Sequence, residues 1–326
     1  MRLIAAIFTF LAFAYHVPVS AQPIPVHDPV IIRQDSTYYI FCTGQGVTVY
    51  SSNNMRDWKG QSPVFNKPPQ WAVSAIPGFK GHIWAPDVSY HNGQYYLYYS
   101  VSAFGKNTSA IGVATNKTLD TASKEFKWVD HGKVIQSVPG RDMWNAIDPN
   151  LVIDNSNQPW LVFGSFWNGI KLAQLDKSLL APADPQKWYT VASRKREFML
   201  PDSVACDAAI EAPFIYKHDN WYYLFVSFDY CCRGEKSTYK IMVGRSEHVY
   251  GPYADRDGVP LNMGGGSLLL EGDSNWHGVG HNAVAQFNGI DYLVCHAYDA
   301  SDKGRSKLRI EKLDWINRWP VVSLLK

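Results

Sequence analysis

Three acidic residues stand before a proline in a recurring setting: Asp28 in His27-Asp28-Pro29, Asp148 in Asn145-Ala146-Ile147-Asp148-Pro149-Asn150, and Glu211 in Ile210-Glu211-Ala212-Pro213. Converging carboxyl groups can cleave a glycosidic bond, one protonating the leaving oxygen while another serves the opposite face of the sugar ring. The two must differ in protonation at one pH, and a third acid nearby can set that difference. Glu211, among Ala208, Ala209, Ile210, Ala212 and Phe214, has the most apolar neighbours of the three, so desolvation is expected to keep it protonated as general acid. Asp28 is then the base that activates water, and Asp148 raises the acid's affinity for its proton and holds it in place. Each acid alone reads as a turn former or a backbone cap. Three at equivalent places change the reading. Asp87 falls later in its own repeat and reads as structural.

The elements that must bring these residues together repeat along the chain. Related starts occur at Trp84-Ala85-Pro86-Asp87 and Gly280-His281-Asn282, giving five starts roughly 57 to 71 residues apart. About ten residues after each start comes an aromatic β-type run, such as Tyr95 to Tyr99 or Trp221 to Phe225, and then a third run such as Ala110 to Ala114. This spacing suits four-stranded propeller blades with variable loops, so the expected fold is an all-β, five-bladed β-propeller in one domain over residues 22–326. The first strand of each blade lines the axis of a propeller, which would place Asp28, Asp148 and Glu211 around one pit with Trp84 and His281. Asn92-Gly93 predicts a two-residue hairpin, and no helix of consequence is signalled. Trp84, Phe104 and Trp167 would stand at the mouth as sugar platforms or rim packing. His281 reads as a hydrogen-bonded axis residue or as a metal ligand.

Composition narrows the classes. A net charge of +2 and no basic run argue against nucleic acid as a partner. Hydrophobic residues at 46% exclude general disorder, and 12 Trp with 19 Tyr suit both sugar stacking and sheet cores. Residues 1–21 read as a secretory signal, with Arg2, an apolar segment too short for a membrane span and Val19-Ser20-Ala21 before the cut. The protein is therefore expected to be secreted, extracellular or periplasmic, with no membrane partner, and monomeric because a closed propeller needs no partner edge. Of the five cysteines, Cys231 and Cys232 would make a strained ring if joined, so partners elsewhere or free thiols are expected for them. Cys42, Cys206 and Cys295 complete the set, without the spacing of a zinc site. The sequons at Asn107 and Asn116 matter only in a eukaryotic secretory pathway.

These motifs, with Gly81 to Asp87, Ser102 to Gly112, Gly164 to Gly169 and Gly278 to Val284, resemble the endo-α-1,5-L-arabinanases of glycoside hydrolase family 43 over essentially the whole mature chain. The resemblance implies an inverting mechanism on arabinan, with Asp28 as base, Glu211 as acid and Asp148 as modulator of the acid's pKa and orientation. It implies substrate contacts from Gly105, from Asn145, Ala146, Ile147 and Asp148, and from Ser165, Phe166 and Trp167, with Trp84 and Phe104 lining the cleavage site. It also implies a structural calcium ion near the axis on His281, and no organic cofactor. From the short C-terminus at Lys326, neither an appended β-domain nor a carbohydrate-binding module is expected. β-Xylosidases and α-L-arabinofuranosidases of the same family share the acid motifs, whereas the loops at Phe104 to Ser109 and Ser165 to Asn168 look like arabinanases. An exo-acting pentosidase and a non-catalytic sugar-binding propeller are the rival readings.

Overall fold

The structure is a computed structural model that describes residues 24–197, 200–201 and 208–323. The expected secretory segment and Cys206 lie outside the described residues. Every aromatic run is the second strand of a blade: Thr37–Cys42, Gln94–Ser102, Pro159–Phe163, Trp221–Phe228 and Ile290–Asp299. These strands are apolar without alternation because both their faces are covered, as in Gln94–Ser102, where all but the first residue are buried.

Each run sits inside a four-stranded antiparallel meander, extended in blade two by a short fifth strand, Gly44–Gln45, paired with His82 and Ile83. Blade one is Val30–Gln34, Thr37–Cys42, Thr48–Ser52 and Lys59–Gly60; blade two is His82–His91, Gln94–Ser102, Ser109–Asn116 and Val129–Ser137. Blade three is Asn150–Ile153, Pro159–Phe163, Ile170–Gln174 and Trp188–Ala192; blade four is Ile210–His218, Trp221–Phe228, Lys240–Ser246 and Ser267–Glu271. Blade five is Trp276–Phe287, Ile290–Asp299, Arg305–Ile316 and Trp319–Ser323. Asn92 and Gly93, both at positive φ, make the expected tight turn, with His91 paired to Gln94. A short helix, Gln70–Ala75, interrupts the proline-rich connection between blades one and two. Its Trp71 and Ala72 pack on the blade one and two core, so burial rather than periodicity selects it.

The core is divided among the blade junctions. Five apolar clusters each join two neighbours, and the one formed by Ile31, Ile40, Val294, Leu308 and Ile310 joins the last blade to the first. Residues 24–26 reinforce that closure: Leu308 N–H donates to the Ile24 carbonyl, and Ser306 donates to that of Val26. Asn107 and Asn116 are 3% and 2% exposed, so neither sequon presents its side chain to solvent. No helix among the described residues is long and apolar enough to cross a membrane.

Candidate active site

One non-glycine residue at each blade start takes the left-handed backbone region: Asp28 (φ 53), Ala85 (φ 42), Asp148 (φ 58), Ala212 (φ 54) and His281 (φ 50). Side chains strain this conformation, and it persists only where surrounding bonds hold it. Here each N–H points at the preceding blade. Asp28 donates to His296 Nδ1, Ala85 to Thr43 Oγ1, Asp148 to Ser100 Oγ and His281 to Ser227 Oγ, at 2.8 to 3.1 Å. After the second strand of blade three stands Gly164, which has no acceptor side chain, and the Ala212 N–H goes to Asp148 Oδ2 at 3.0 Å instead. In this register Glu211 lies one residue before its axial position, while Asp28, Asp148 and His281 occupy theirs.

The three acids line one cleft of about 1040 Å³ together with His281. Asp28 Oδ1 faces His27 Nδ1 at 2.9 Å and His281 Nδ1 at 3.0 Å, and Oδ2 accepts from the Thr43 hydroxyl at 2.5 Å. Burial works to raise the Asp28 pKa, but the two imidazoles oppose it and hold the carboxyl well below the usual range. Asp148 behaves in the opposite way: burial, with Glu211 and Asp28 adding repulsion, pushes it up to about 8 against the pull of His281 and the Ala212 N–H. Burial disfavours a charge on His281, yet Asp28, Asp148 and Glu211 together raise its pKa to about 9. Glu211 is held by two hydroxyls, Ser165 Oγ on Oε2 and Tyr239 Oη on Oε1, both at 2.7 Å. The expectation that Glu211 has the most desolvated setting is corrected, because Asp148 is buried at 7% exposure and Glu211 is only half-buried. Asp87 accepts from Asn150 Nδ2 and the Leu151 N–H and ties blade two to blade three.

Trp84, Phe104, Gly105, Asn145, Ile147, Ser165, Phe166 and Trp167 also line the cleft, with Phe104 81% exposed at the mouth; Trp167, expected there too, is instead packed into the wall at 2% exposure. Ala146 does not: it is fully buried, with its N–H on Ser137 Oγ, so it supports the wall from behind. The sequence reading missed His27, Thr43 and the turn Tyr230, Cys231, Cys232 and Arg233, all in the lining. It also missed Tyr239, His296 and Tyr298 in the layer beneath. All but His27, which stands in the Asp28 motif itself, lie within a second strand or in the connection that follows it, where no motif marks them. The largest correction concerns the adjacent cysteines, which are joined to each other. Asp229 and Cys232 both have positive φ, and this tight turn brings the neighbouring sulfurs together. Cys42 and Cys295 are buried free thiols.

The donor set near His281 is compatible with a hard cation. Asn282 beside it is 3% exposed with neither amide atom bonded to protein, and three carboxylates converge nearby. The triad His27, Asp28 and His296 is a poorer candidate, since both His27 nitrogens are engaged by Asp28 and Tyr298 and His296 Nδ1 accepts the Asp28 N–H, which leaves only the buried His296 Nε2 without a partner.

The profile described as glycosyl hydrolases family 43 matches residues 15–320. An extracellular exo-α-(1→5)-L-arabinofuranosidase, ArbA, of Cellvibrio japonicus is 51% identical over 93% of this chain and 87% of its own. An extracellular endo-α-(1→5)-L-arabinanase of Bacillus subtilis is 42% identical over 90% and 87%. The structure of a Cellvibrio cellulosa α-L-arabinanase complexed with arabinohexaose superposes with a TM-score of 0.90 at 50% identity, covering 92% of this chain and 96% of the other.

Proposed function

The chain belongs to glycosyl hydrolases family 43, and from that premise we propose that it hydrolyses α-1,5-L-arabinofuranosidic bonds of arabinan with inversion. The observation that carries this reading is the meeting of three acids in one aromatic-lined cleft, with Asp28 and Asp148 of opposed proton affinity. Asp28, kept ionised, is the base that takes a proton from the attacking water. Its Oδ1 already meets two imidazole nitrogens, so Oδ2 has the lone pair to spare. Asp148 and Glu211 lie close enough to interact, so the pair retains a proton that one carboxyl alone would lose. Glu211, oriented by Ser165 and Tyr239, delivers it to the leaving oxygen, and Asp148 sets its availability and position. Trp84, Phe104 and Phe166 supply ring faces for the sugars, while the buried Trp167 backs the wall behind them. A calcium ion would be held by His281 once its ring proton is displaced, and the ion's charge would then take the place of the imidazolium at the axis. The protein is exported, acts as a single catalytic domain and works as a monomer.

Attack on internal bonds is the reading drawn from the loops. Release from a chain end is the second reading, favoured by the name of the 51% identical relative. Digestion of linear α-1,5-arabinan, followed by product size over time and by NMR of the first anomer formed, tests both. Oligosaccharides that shorten with time mark internal cleavage, one small product from the outset marks chain-end release, and inverted product anomers are expected in either case. Retained anomers, or no cleavage of arabinan alongside cleavage of xylosides, would overturn the proposal.

A further inference from the structure

The turn that carries the Cys231–Cys232 disulfide lies in the cleft wall, yet its best-defined contact leads away from the opening. The Cys232 N–H donates to Tyr298 Oη at 2.7 Å. Tyr298 Oη stands 2.8 Å from His27 Nε2, and His27 Nδ1 stands 2.9 Å from Asp28 Oδ1. A backbone N–H can only donate, so the phenol oxygen is the acceptor there, and Ser237 hydrogen-bonds the same oxygen. Ser237 Oγ already accepts the Arg233 N–H and turns its own proton to the phenol oxygen, so the phenol's proton is left for His27. An Nε2 that accepts it is bare, which places the His27 proton on Nδ1, facing the carboxylate. All three bonds therefore run in one direction, from blade four through blade five to Asp28 on blade one. The two ring members of this path are firmly held: Tyr298 is 3% exposed, and the His27 ring stacks on His296 at 3.9 Å. The disulfide closes a small ring that contains the peptide whose N–H begins the path.

We propose that the Cys231–Cys232 turn and Tyr298 are positioning residues for Asp28, acting through His27 to fix the orientation of its carboxylate. The proposal rests on the reading of Asp28 as the base. It assigns the disulfide a part in the chemical step, since opening the ring frees the Cys232 peptide to turn its N–H off the phenol. A phenol without that donor is free to rotate its proton off His27, and the imidazole loses its fixed tautomer.

The test measures kcat and KM on linear arabinan for Tyr298→Phe, for the unsubstituted protein before and after a dithiol reductant, and for Asp28→Asn. Tyr298→Phe keeps the ring and removes the hydroxyl, and kcat is expected to fall about ten- to a hundredfold with KM within about twofold. Reduction should lower kcat in the same manner, reversibly on reoxidation, and should add nothing in Tyr298→Phe because both act on one path. The reductant arm stands even if Tyr298→Phe fails to fold. If Asp28→Asn hydrolyses arabinan normally, the reading of the base fails. If Asp28→Asn is inactive but Tyr298→Phe and the reduced protein keep full kcat, the positioning proposal alone fails. A rise in KM with unchanged kcat would make the turn a substrate contact and would equally overturn it.

Discussion

The two oxygens of Asp28 are in different circumstances, one facing two imidazole nitrogens and the other a single hydroxyl. That asymmetry, and the opposed proton affinities of Asp28 and Asp148, give the cleft a base and a proton at one pH. The sequence could show the acids, because Asp28 and Asp148 stand before proline at a strand start and Glu211 one residue earlier in the same setting. It could not show which would be desolvated, since the burial of Asp148 comes from blades two and four closing over it. Apolar neighbours in sequence made Glu211 look buried, but its side chain emerges beside two hydroxyls. The activity of the Asp148–Glu211 pair is expected to fall as pH rises through about 8, where Asp148 loses its proton, and the acidic limb to lie below the usual carboxylate range. Stability should follow the same sign. His281 is raised from 6.5 to about 9 and contributes stability that is complete below pH 6.5 and lost as pH climbs through 9. Asp148, raised from 3.8 to about 8, loses its contribution as pH rises through 8. Thermal midpoints measured from pH 6.5 to 9 should therefore decline, and an upward trend would contradict these environments.

At the scale of the element, the inner strands hold axial residues in left-handed conformations by giving each N–H to the blade before. The aromatic second strands and the Asn92-Gly93 turn were legible because short-range chemistry fixes them. The one-residue offset of Glu211 was not, because it depends on the exchange of a side-chain acceptor at Gly164 for the carboxylate of Asp148. Close backbone packing also decides how Glu211 is held. A Cβ on Gly280 would stand 2.0 Å from Tyr239 Cδ1, and the Tyr239 hydroxyl is what grips Glu211 Oε1. Gly280→Ala should push that ring aside, lowering kcat on arabinan about tenfold and stability by about 1–3 kcal/mol. Tyr239→Phe should reproduce the kcat loss with KM unchanged, which a purely structural role for the ring would not do.

For the whole molecule, the sequence revealed the number of blades through its repeats but not how the ring shuts. Closure uses the same kind of apolar junction as the other four blade pairs, reinforced by residues 24–26 against the third strand of blade five. A closed ring is what lets residues more than 180 positions apart, Asp28 and Glu211, share a cleft without a hinge between them. The central claim is that these two residues act as base and acid across one sugar. The most direct measurement compares Glu211→Gln and Asp28→Asn on arabinan and on an aryl arabinofuranoside whose leaving group needs no protonation. Glu211→Gln should lose about a thousandfold in kcat/KM on arabinan but far less on the aryl substrate, while Asp28→Asn loses both. Equal losses for Glu211→Gln on the two substrates, or an Asp28→Asn enzyme that still turns over either one, would contradict the assignment.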